Sequence, residues 1–373
     1  MVSTQQYKIV KLSEIADFKT GRLNANAAVE GGEYPFFTCS RDSFRTNTWS
    51  FDCECVLLAG NNANAEYPVK YFEGKFDAYQ RTYVITAKDS RSLNIRYLYY
   101  CIELKLNVLK SLSTGSATRF LTKTILDHLE FHLPEKRIQD KIVDNLSRYD
   151  NLVENNNRRI AILEEMAQSL YSEWFVNFRY PGNDKNNNKL TLIDSPLGTI
   201  PEGWEIKRLD DFLILQRGFD LPKKKRNESG GIPIYAASGI NGYHDQVKAK
   251  GPGVVTGRSG TLGIVNLVLE DHWPLNTSLW VKEFKGCTAF YAYYLLDSIG
   301  LERFNSGASV PTLNRNDVHG NPVIAPPKEL IEKFEDTVCV NHKQINVLKR
   351  KNENLKKQRA MLLPRLISGD IEL

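Results

Sequence analysis

The chain has 373 residues, of which 42% are hydrophobic and 25% are charged. These values are typical of a globular protein with room for two domains, and they exclude a disordered or fibrous chain. The 49 basic and 44 acidic residues leave a formal net charge of +5, which permits a nucleic-acid partner without requiring one.

The N-terminal segment MVSTQQYKIVKL lacks the apolar run of a signal peptide, and no stretch is long and apolar enough to span a bilayer. The cysteines are too few and too irregularly spaced for a disulfide framework, and no zinc-binding pattern accompanies them; they are Cys39, Cys53, Cys55, Cys101, Cys287 and Cys339. The sequence therefore predicts a cytoplasmic protein that binds no metal and has no membrane contact.

Residues 1–134 are predicted to form a first mixed α/β domain. Residues 55–58 and 81–85 have the β-branched and aromatic content of strands, and residues 95–109 read as a helix. His128, Glu130 and His132 alternate with apolar residues, which is typical of a strand with its polar face outward rather than of a metal site.

A long helix is predicted within residues 135–178. Its core-facing positions advance in strictly alternating steps of four and three residues, the pattern of a coiled-coil seam in which only Asn156 is polar; they are Ile142, Leu146, Tyr149, Val153, Asn156, Ile160, Leu163, Ala167, Leu170 and Trp174. At roughly 1.5 Å per residue, this helix advances about 48 Å from residue 142 to residue 174. The length suits a ruler between two separated half-sites on duplex DNA.

Residues 179–203 are rich in Pro, Gly, Asn and Asp and are predicted to be a linker. Residues 204–326 are predicted to form a second mixed α/β domain, with strands at 254–255, 262–269 and 278–281 and a helix at 288–299. Residues 327–373 are predicted to be a C-terminal helix and tail. Its seam lies at Phe334, Val338, Asn341, Ile345, Leu348, Asn352, Leu355, Arg359, Leu362 and Leu366.

The chain contains an internal repeat. The second seam follows the first at a constant offset of 192 residues, from residue 142 to residue 334. In the globular parts, Gly21 matches Gly218 and Gly60 matches Gly257, both at an offset of 197. This self-similarity predicts an α+β fold in which two similar domains are joined by two long helices with pseudo-two-fold symmetry.

The two helices are predicted to pair in an antiparallel coiled coil. In that register Asn156 lies beside Asn352, and two buried amides satisfy each other. A parallel register would bury both amides without partners, at roughly 1–3 kcal/mol each. Arg359 is expected to face Tyr149, by snorkelling or by a cation–π contact.

The candidate DNA-binding residues are basic or amide side chains, which read guanine and adenine edges, and residues beside glycines, where backbone can approach phosphates. In the first domain they are Arg22, Arg41, Asn61, Asn62, Asn64, Gln80, Arg81, Thr118, Arg119 and Lys123. In the second domain they are Arg217, Lys223, Lys224, Lys225, Arg226, Arg258, Ser259, Thr261, Thr277, Asn314 and Arg315. The sequence comparison aligns residues 80–82 with residues 277–279.

Two features of the second domain each allow two interpretations. The glycine-rich stretch 251–263 lacks the spacing of a nucleotide-binding loop, so it is either a turn between strands or a site of close phosphate approach. The basic run 223–226 is either a solvated loop or a phosphate clamp. No set of carboxylates and a lysine at metal-site spacing supports a nuclease.

The plan of the chain resembles the specificity (S) subunits of type I restriction-modification systems. The resemblance covers nearly the whole chain, and its most specific segments are LGTIPEGWEIKRL at 197–209, WFVNF at 174–178 and LLPRLISGDI at 362–371. It implies two target recognition domains, each reading half of a bipartite DNA site. It also implies a non-catalytic subunit whose partners, two modification subunits and restriction subunits, use S-adenosylmethionine, ATP and Mg.

Two alternatives to this function remain open at the level of sequence. The chain could be the recognition module of another combined restriction and methylation system. It could also be a coiled-coil scaffold with two protein-binding heads, which should bind DNA without sequence preference.

Overall fold

The computed structural model describes residues 7–115, 118–182 and 191–373. The chain divides into two compact units. The first unit comprises Met1–Asn155 with Lys351–Leu373, and the second unit comprises Asn156–Arg350. The two units are defined by contacts between residues, and their borders lie inside both long helices. This division does not test the predicted domain boundaries, which stay predictions.

The described residues of the first unit form ten strands and four short α-helices before the first long helix. The strands are β1 (Lys8–Lys11), β2 (Ala16–Thr20), β3 (Tyr34–Phe37), β4 (Ser43–Thr46), β5 (Phe51–Ala59), β6 (Asn61–Asn62), β7 (Val69–Ala78), β8 (Thr82–Ala87), β9 (Arg119–Phe120) and β10 (Glu130–Leu133). The helices are α1 (Leu12–Ile15), α2 (Ile95–Leu104), α3 (Leu106–Leu112) and α4 (Lys123–Asp127). The helix predicted at 95–109 is therefore divided at Lys105.

A six-stranded sheet in the order β2-β8-β5-β7-β3-β4 forms the centre of the first unit. Its central strand β5 ends in a run of buried residues from Cys55 to Ala59, so both faces of the strand are covered there. The buried face of α2 belongs to the same apolar core as Val56, Leu58 and Ile85. Strand β1 pairs with β10, where Phe131 is buried and His132 is exposed.

The first long helix, α5 (Lys136–Tyr171), follows and ends in a short π-helical segment, Ser172–Val176. The second unit then contributes β11 (Leu192–Ser195), β12 (Gly198–Pro201), β13 (Glu205–Arg208), β14 (Leu213–Arg217), β15 (Ile232–Ala236), β16 (Gly239–His244), β17 (Gly253–Gly257), β18 (Val265–Val268), β19 (Trp273–Pro274), β20 (Ser278–Phe284) and β21 (Pro322–Ala325). Its helices are α6 (Leu209–Phe212), α7 (Ala289–Ile299), α8 (Arg315–His319) and the second long helix, α9 (Lys328–Ser368).

The topology of the second unit repeats that of the first. A four-stranded sheet, β14-β20-β17-β18, corresponds to β2-β8-β5-β7, and the pair β13-β21 corresponds to β1-β10. The long strand β7 is represented by two shorter strands, since β18 pairs with β17 and β19 pairs in parallel with β15. The predicted mixed α/β architecture with two long helices is confirmed.

The segment predicted as a linker, 179–203, contains regular structure, so its interpretation as a loop was wrong in part. Strands β11 and β12 form an antiparallel hairpin around a turn in which Gly198 has a φ of +98°, a conformation that glycine adopts without strain. Residues 183–190 of the predicted linker lie outside the described residues. Beyond the hairpin, the ring of Trp204 lies 5.2 Å from that of Phe178 and 6.2 Å from that of Phe175.

The long helices pair in antiparallel fashion within each unit, as predicted. In the second unit, Ile160 and Leu163 cluster with Ile345 and Leu348. In the first unit, Ile142 and Leu146 of α5 share an apolar core with Leu363 and Leu366 near the C-terminal end of α9. Every predicted seam residue is buried or half-buried.

Asn156 and Asn352 lie where α5 and α9 pass from one unit to the other. Asn156 and Asn352 are both buried, with exposed fractions of 8% and 4%. Their predicted mutual contact stays a prediction.

The expectation that Arg359 faces Tyr149 in a cation–π contact was wrong. Its guanidinium lies 5.2 Å from the ring centre of Tyr100 and forms ion pairs with Glu103 at 2.5 Å and Asp150 at 2.7 Å. A half-buried cation needs anionic partners, and α2 supplies one of them. This cluster, which we call the Arg359 network, joins α2, α5 and α9 within the first unit.

The second unit has a histidine where the first has Asp150. The hydroxyl of Tyr294 lies 2.7 Å from Nε2 of His342, just as the hydroxyl of Tyr100 lies 2.6 Å from the Asp150 carboxylate. Burial lowers the pKa of His342 from 6.5 to about 4. The histidine is therefore neutral in the folded protein at physiological pH.

This depressed pKa predicts a stability loss in mild acid. The unfolded chain takes up a proton near pH 6.5 and the folded chain only near pH 4, so the free energy of unfolding should fall as the pH is lowered between these values. A His342→Gln variant should lose this part of the pH dependence. Urea unfolding of both proteins at pH 4.5 and pH 7.5 measures it, and an unchanged pH dependence in the variant would contradict the assignment.

Candidate nucleic-acid interface

Three loops are held together by the same backbone hydrogen bonds in both units. In the first unit, Gly60 N–H donates to the Arg81 carbonyl at 2.8 Å, and Leu121 N–H donates to the Gly60 carbonyl at 2.8 Å. In the second unit, Arg258 N–H donates to Thr277 at 2.9 Å, and Leu313 N–H donates to Arg258 at 2.8 Å. By these bonds Gly60 corresponds to Arg258, so the predicted match of Gly60 with Gly257 was wrong by one residue. We call each set a three-loop cluster; the first comprises residues 60–64, 79–81, 114–115 and 118–120, and the second comprises residues 258–263, 275–277 and 306–312.

The third loop of each cluster depends on glycine. A Cβ atom on Gly115 would lie 2.1 Å from the Thr118 carbonyl oxygen, and one on Gly307 would lie 2.0 Å from the Val310 carbonyl oxygen. Any other residue would force the backbone apart at these two points. Gly115 and Gly307 thus occupy equivalent close approaches in the two units, while residues 116 and 117 lie outside the described part of the chain.

The first three-loop cluster brings several of the predicted contact residues together. Asn61 and Asn62 on β6 pair with β9, in which Arg119 is exposed, and Arg81 lies over the ring of Phe120 at 5.4 Å. The side-chain oxygen of Asn62 accepts from the Asn64 N–H at 2.8 Å, which shapes the first loop. Thr118 and Gln80 belong to the same cluster.

Three residues of the first unit that were predicted to contact DNA lie outside the three-loop cluster. Arg41 forms an exposed ion pair with Glu66 at 2.8 Å. Lys123 begins α4, and its ammonium lies 5.8 Å from the centre of the Phe18 ring. Arg22 is exposed beside a cavity of about 550 Å³ that also contains Lys19, a basic residue absent from the predicted set.

In the second three-loop cluster the predicted residues are held differently. Ser259 forms a backbone bridge with Thr312, and Thr261 closes a tight turn against Gly257. The Arg258 guanidinium donates to the main-chain carbonyl of Asn276 at 2.9 Å, so part of its hydrogen-bonding capacity stabilises the neighbouring loop. Thr277 receives the N–H groups of residues 258 and 259 at its carbonyl.

The remaining predicted residues of the second unit have mixed environments. Asn314 caps α8 by accepting from the Asn316 N–H at 3.1 Å, and Arg315 is exposed beside it. Arg217 lies 4.0 Å from Asp220. The basic run forms an exposed 3₁₀ turn at Lys223–Lys225 and is followed by Arg226, which donates to Asn241.

The structure identifies an amide that the sequence comparison missed. Thr82 N–H donates to the Tyr79 carbonyl at 2.8 Å, and Ser278 N–H donates to the Leu275 carbonyl at 2.9 Å, so the two turns correspond residue for residue. Gln80 therefore matches Asn276, not Thr277, and the sequence alignment of this loop was wrong by one residue. The available signal was an amide at the same turn position in both halves.

The described residues present little that is typical of a catalytic centre. No group of three or more His, Cys, Asp or Glu side chains among them is arranged to hold a metal ion. Burial raises the pKa of the Cys101 and Cys287 thiols to about 12, so both remain protonated and unreactive. A search of the helices in the described ranges likewise finds none with the length and apolarity needed to cross a bilayer.

The chain is similar in sequence to a family of known proteins. A family model described as the type I restriction modification DNA specificity domain matches residues 4–165 and 201–350. The chain is 31% identical to the type I restriction enzyme EcoDI specificity subunit of Escherichia coli over 55% of this chain and 48% of that subunit. It is 28% identical to the MjaIX specificity subunit of Methanocaldococcus jannaschii, over 74% of this chain and 69% of the relative.

A solved structure shares the fold. The type I restriction-modification S subunit from M. genitalium superposes with a TM-score of 0.68 at 17% identity, covering 98% of this chain and 97% of that one. The match to the E. coli relative spans about half of that subunit's length. Because the family model matches well over half of the chain in two successive copies, this protein belongs to the family of type I restriction-modification DNA specificity domains.

Proposed function

We propose that this chain is the sequence-specific DNA-recognition subunit of a type I restriction-modification complex and that each unit reads one half of a bipartite target. The observation that carries the proposal is the repeated three-loop cluster, which presents different side chains on one backbone framework. The second unit has Arg258 at the position of Gly60 and Ser259 at the position of Asn61. Different side chains on the same backbone framework are suited to contacting the bases of two different half-site sequences.

The basic run of the second unit suits contacts with the DNA backbone. Lys223, Lys224 and Lys225 are exposed side by side, and none forms an ion pair with another described residue. Uncompensated ammonium groups of this kind neutralise phosphates and release counterions, which strengthens binding at low salt without adding sequence preference. We assign this run to phosphate binding rather than to base reading.

The long helices would set the distance between the two half-sites. Helix α5 has 36 residues and α9 has 41, and each begins in one unit and ends in the other. At about 1.5 Å per residue they are long enough to hold half-sites more than one turn of DNA apart.

Shortening both helices together tests this ruler. Deleting residues 153–159 and 349–355 removes one heptad from each helix while keeping the seam in register, and it shortens the pair by about 10 Å. We expect the preferred spacer to shrink by about three base pairs, with both half-sites unchanged. The methylated motif in cells that express the variant with its modification subunits reports the spacer directly.

Two results would contradict the proposal. An unchanged spacer in the shortened variant would exclude the ruler. Binding of DNA without sequence preference by the wild-type complex, measured in a footprint, would instead indicate a scaffold. Deleting the heptad from α5 alone is the matched control, since it breaks the seam register and should abolish assembly.

The large exposed apolar residues of the long helices lie on one side of the seam. When the seam residues are counted as heptad positions a and d, all of these large residues fall at c or g; they are Leu152, Ile162, Met166, Val340, Val347 and Met361. The opposite e side carries the ion pair between Glu164 and Lys349 at 3.1 Å. We call the c and g side the outer face.

We assign the outer face to the modification subunits, two of which would match the two repeats. Apolar side chains aligned along a helix face mark a surface that is covered in the assembled state. Restriction subunits would join the same complex in the cytoplasm. S-adenosylmethionine, ATP and Mg would act in these partners, so that methylation and cleavage reside outside this chain.

A further inference from the structure

A cavity of about 450 Å³ with both polar and apolar lining residues opens beside the second three-loop cluster. Its wall includes Arg226, which the sequence predicted as a contact, and also Asp220, Asn241 and Asn276, which it did not. Amide, carboxylate and guanidinium groups in one small concave site provide the donors and acceptors that distinguish base edges.

The amide of Asn276 is held in a defined orientation. Its nitrogen donates to the Asp220 carboxylate, and the reversed amide would place two oxygen atoms against each other. The main chain of Asn276 is fixed as well, because its carbonyl accepts from Arg258 at 2.9 Å and the Leu275–Ser278 turn encloses it. The side chain is therefore pre-organised before any ligand arrives.

The groups of Asn276 that remain available match one base. Its side-chain oxygen can accept one hydrogen bond, and the second proton on its nitrogen can be donated. Adenine presents a donor at N6 and an acceptor at N7 in the major groove, and asparagine or glutamine satisfies both together. Arg226 is directed elsewhere, since its guanidinium donates to the carbonyl of Asn241 at 2.7 Å and to its side-chain oxygen at 2.9 Å.

We infer that Asn276 reads an adenine in the half-site bound by the second unit and that Asp220 is the positioning residue that orients its amide. This inference rests on the proposed DNA-recognition function. The repeat supports it independently, because the corresponding turn position in the first unit is Gln80, the other side chain that pairs bidentately with adenine. Gln80 would read an adenine in the other half-site.

The test measures base preference at every target position. The full chain assembled with its modification subunits is bound to a duplex library in which each half-site position is varied in turn. In the Asn276→Ala complex, the preference for adenine at one position should fall about ten- to hundredfold while all other positions keep theirs. Asp220→Ala should reduce the preference for adenine at the same position by a smaller factor. Asp220→Asn should retain the wild-type preference, because the new amide oxygen can still accept from Asn276.

Matched variants separate this inference from the proposed function. Asn227→Ala removes a similar surface pair, in which the Asn227 amide donates to Asp245 at 2.9 Å outside the cavity, and it should change nothing. Gln80→Ala should affect only the opposite half-site. A wild-type bipartite preference that survives Asn276→Ala at every position would overturn the inference alone, whereas no bipartite preference in the wild-type complex would overturn the function.

Discussion

Replacing Arg359 with alanine is expected to lower the free energy of unfolding of the first unit by about 3–5 kcal/mol. The Arg359 side chain is 13% exposed, and its partners Glu103 and Asp150 are 29% and 27% exposed. Removing the cation leaves the Glu103 carboxylate without its ion-pair partner in a partly dehydrated site, whereas Asp150 retains Arg96 at 3.7 Å. It also removes the contact with the Tyr100 ring.

Native-state hydrogen exchange of the α2 amides at low urea concentration measures this effect in the first unit. Lys349→Ala is the control, because its ion pair with Glu164 is largely exposed and should contribute less than about 1 kcal/mol. If the two variants lost the same small amount of stability, the Arg359 network would not hold α9 to α2.

A double substitution on the outer face, Met166→Glu with Val340→Glu, is expected to abolish assembly with the modification subunits. The two side chains are 55% and 62% exposed, so neither change should affect the fold. Burying an unpaired carboxylate in an interface costs roughly 2–5 kcal/mol, which corresponds to at least a thirtyfold loss of affinity for each site. Size-exclusion chromatography with the purified modification subunit reports the loss.

The control for this experiment places the same charge on the other side of the helix. Gln168 is exposed at heptad position b, so Gln168→Glu should leave assembly intact. Assembly that survived the double substitution would exclude the outer face as the docking surface. Equal loss in the Gln168→Glu variant would indicate a general effect of charge.

The sequence comparison located the second loop of the three-loop cluster but aligned it wrongly by one residue. Offsets between the halves drift along the chain, because loops differ in length, and no residue type marks where each deletion falls. Two equivalent backbone hydrogen bonds, into the carbonyls of Tyr79 and Leu275, are needed to align Gln80 with Asn276. The Asp220 partner of Asn276 is equally invisible in the sequence, since 56 residues separate them.

The pattern of side chains along the sequence determined the two long helices and the repeat, because a heptad seam is a local periodic signal, and the positions of its two asparagines favoured antiparallel pairing. Only the tertiary structure decided which side chains surround a charged residue that interrupts the apolar seam. Arg359 occupies a seam position, yet its partner Glu103 comes from a distant helix of the globular part. A charge is stable in such a place only where the fold brings opposite charges to it, and that depends on contacts between segments remote in the chain.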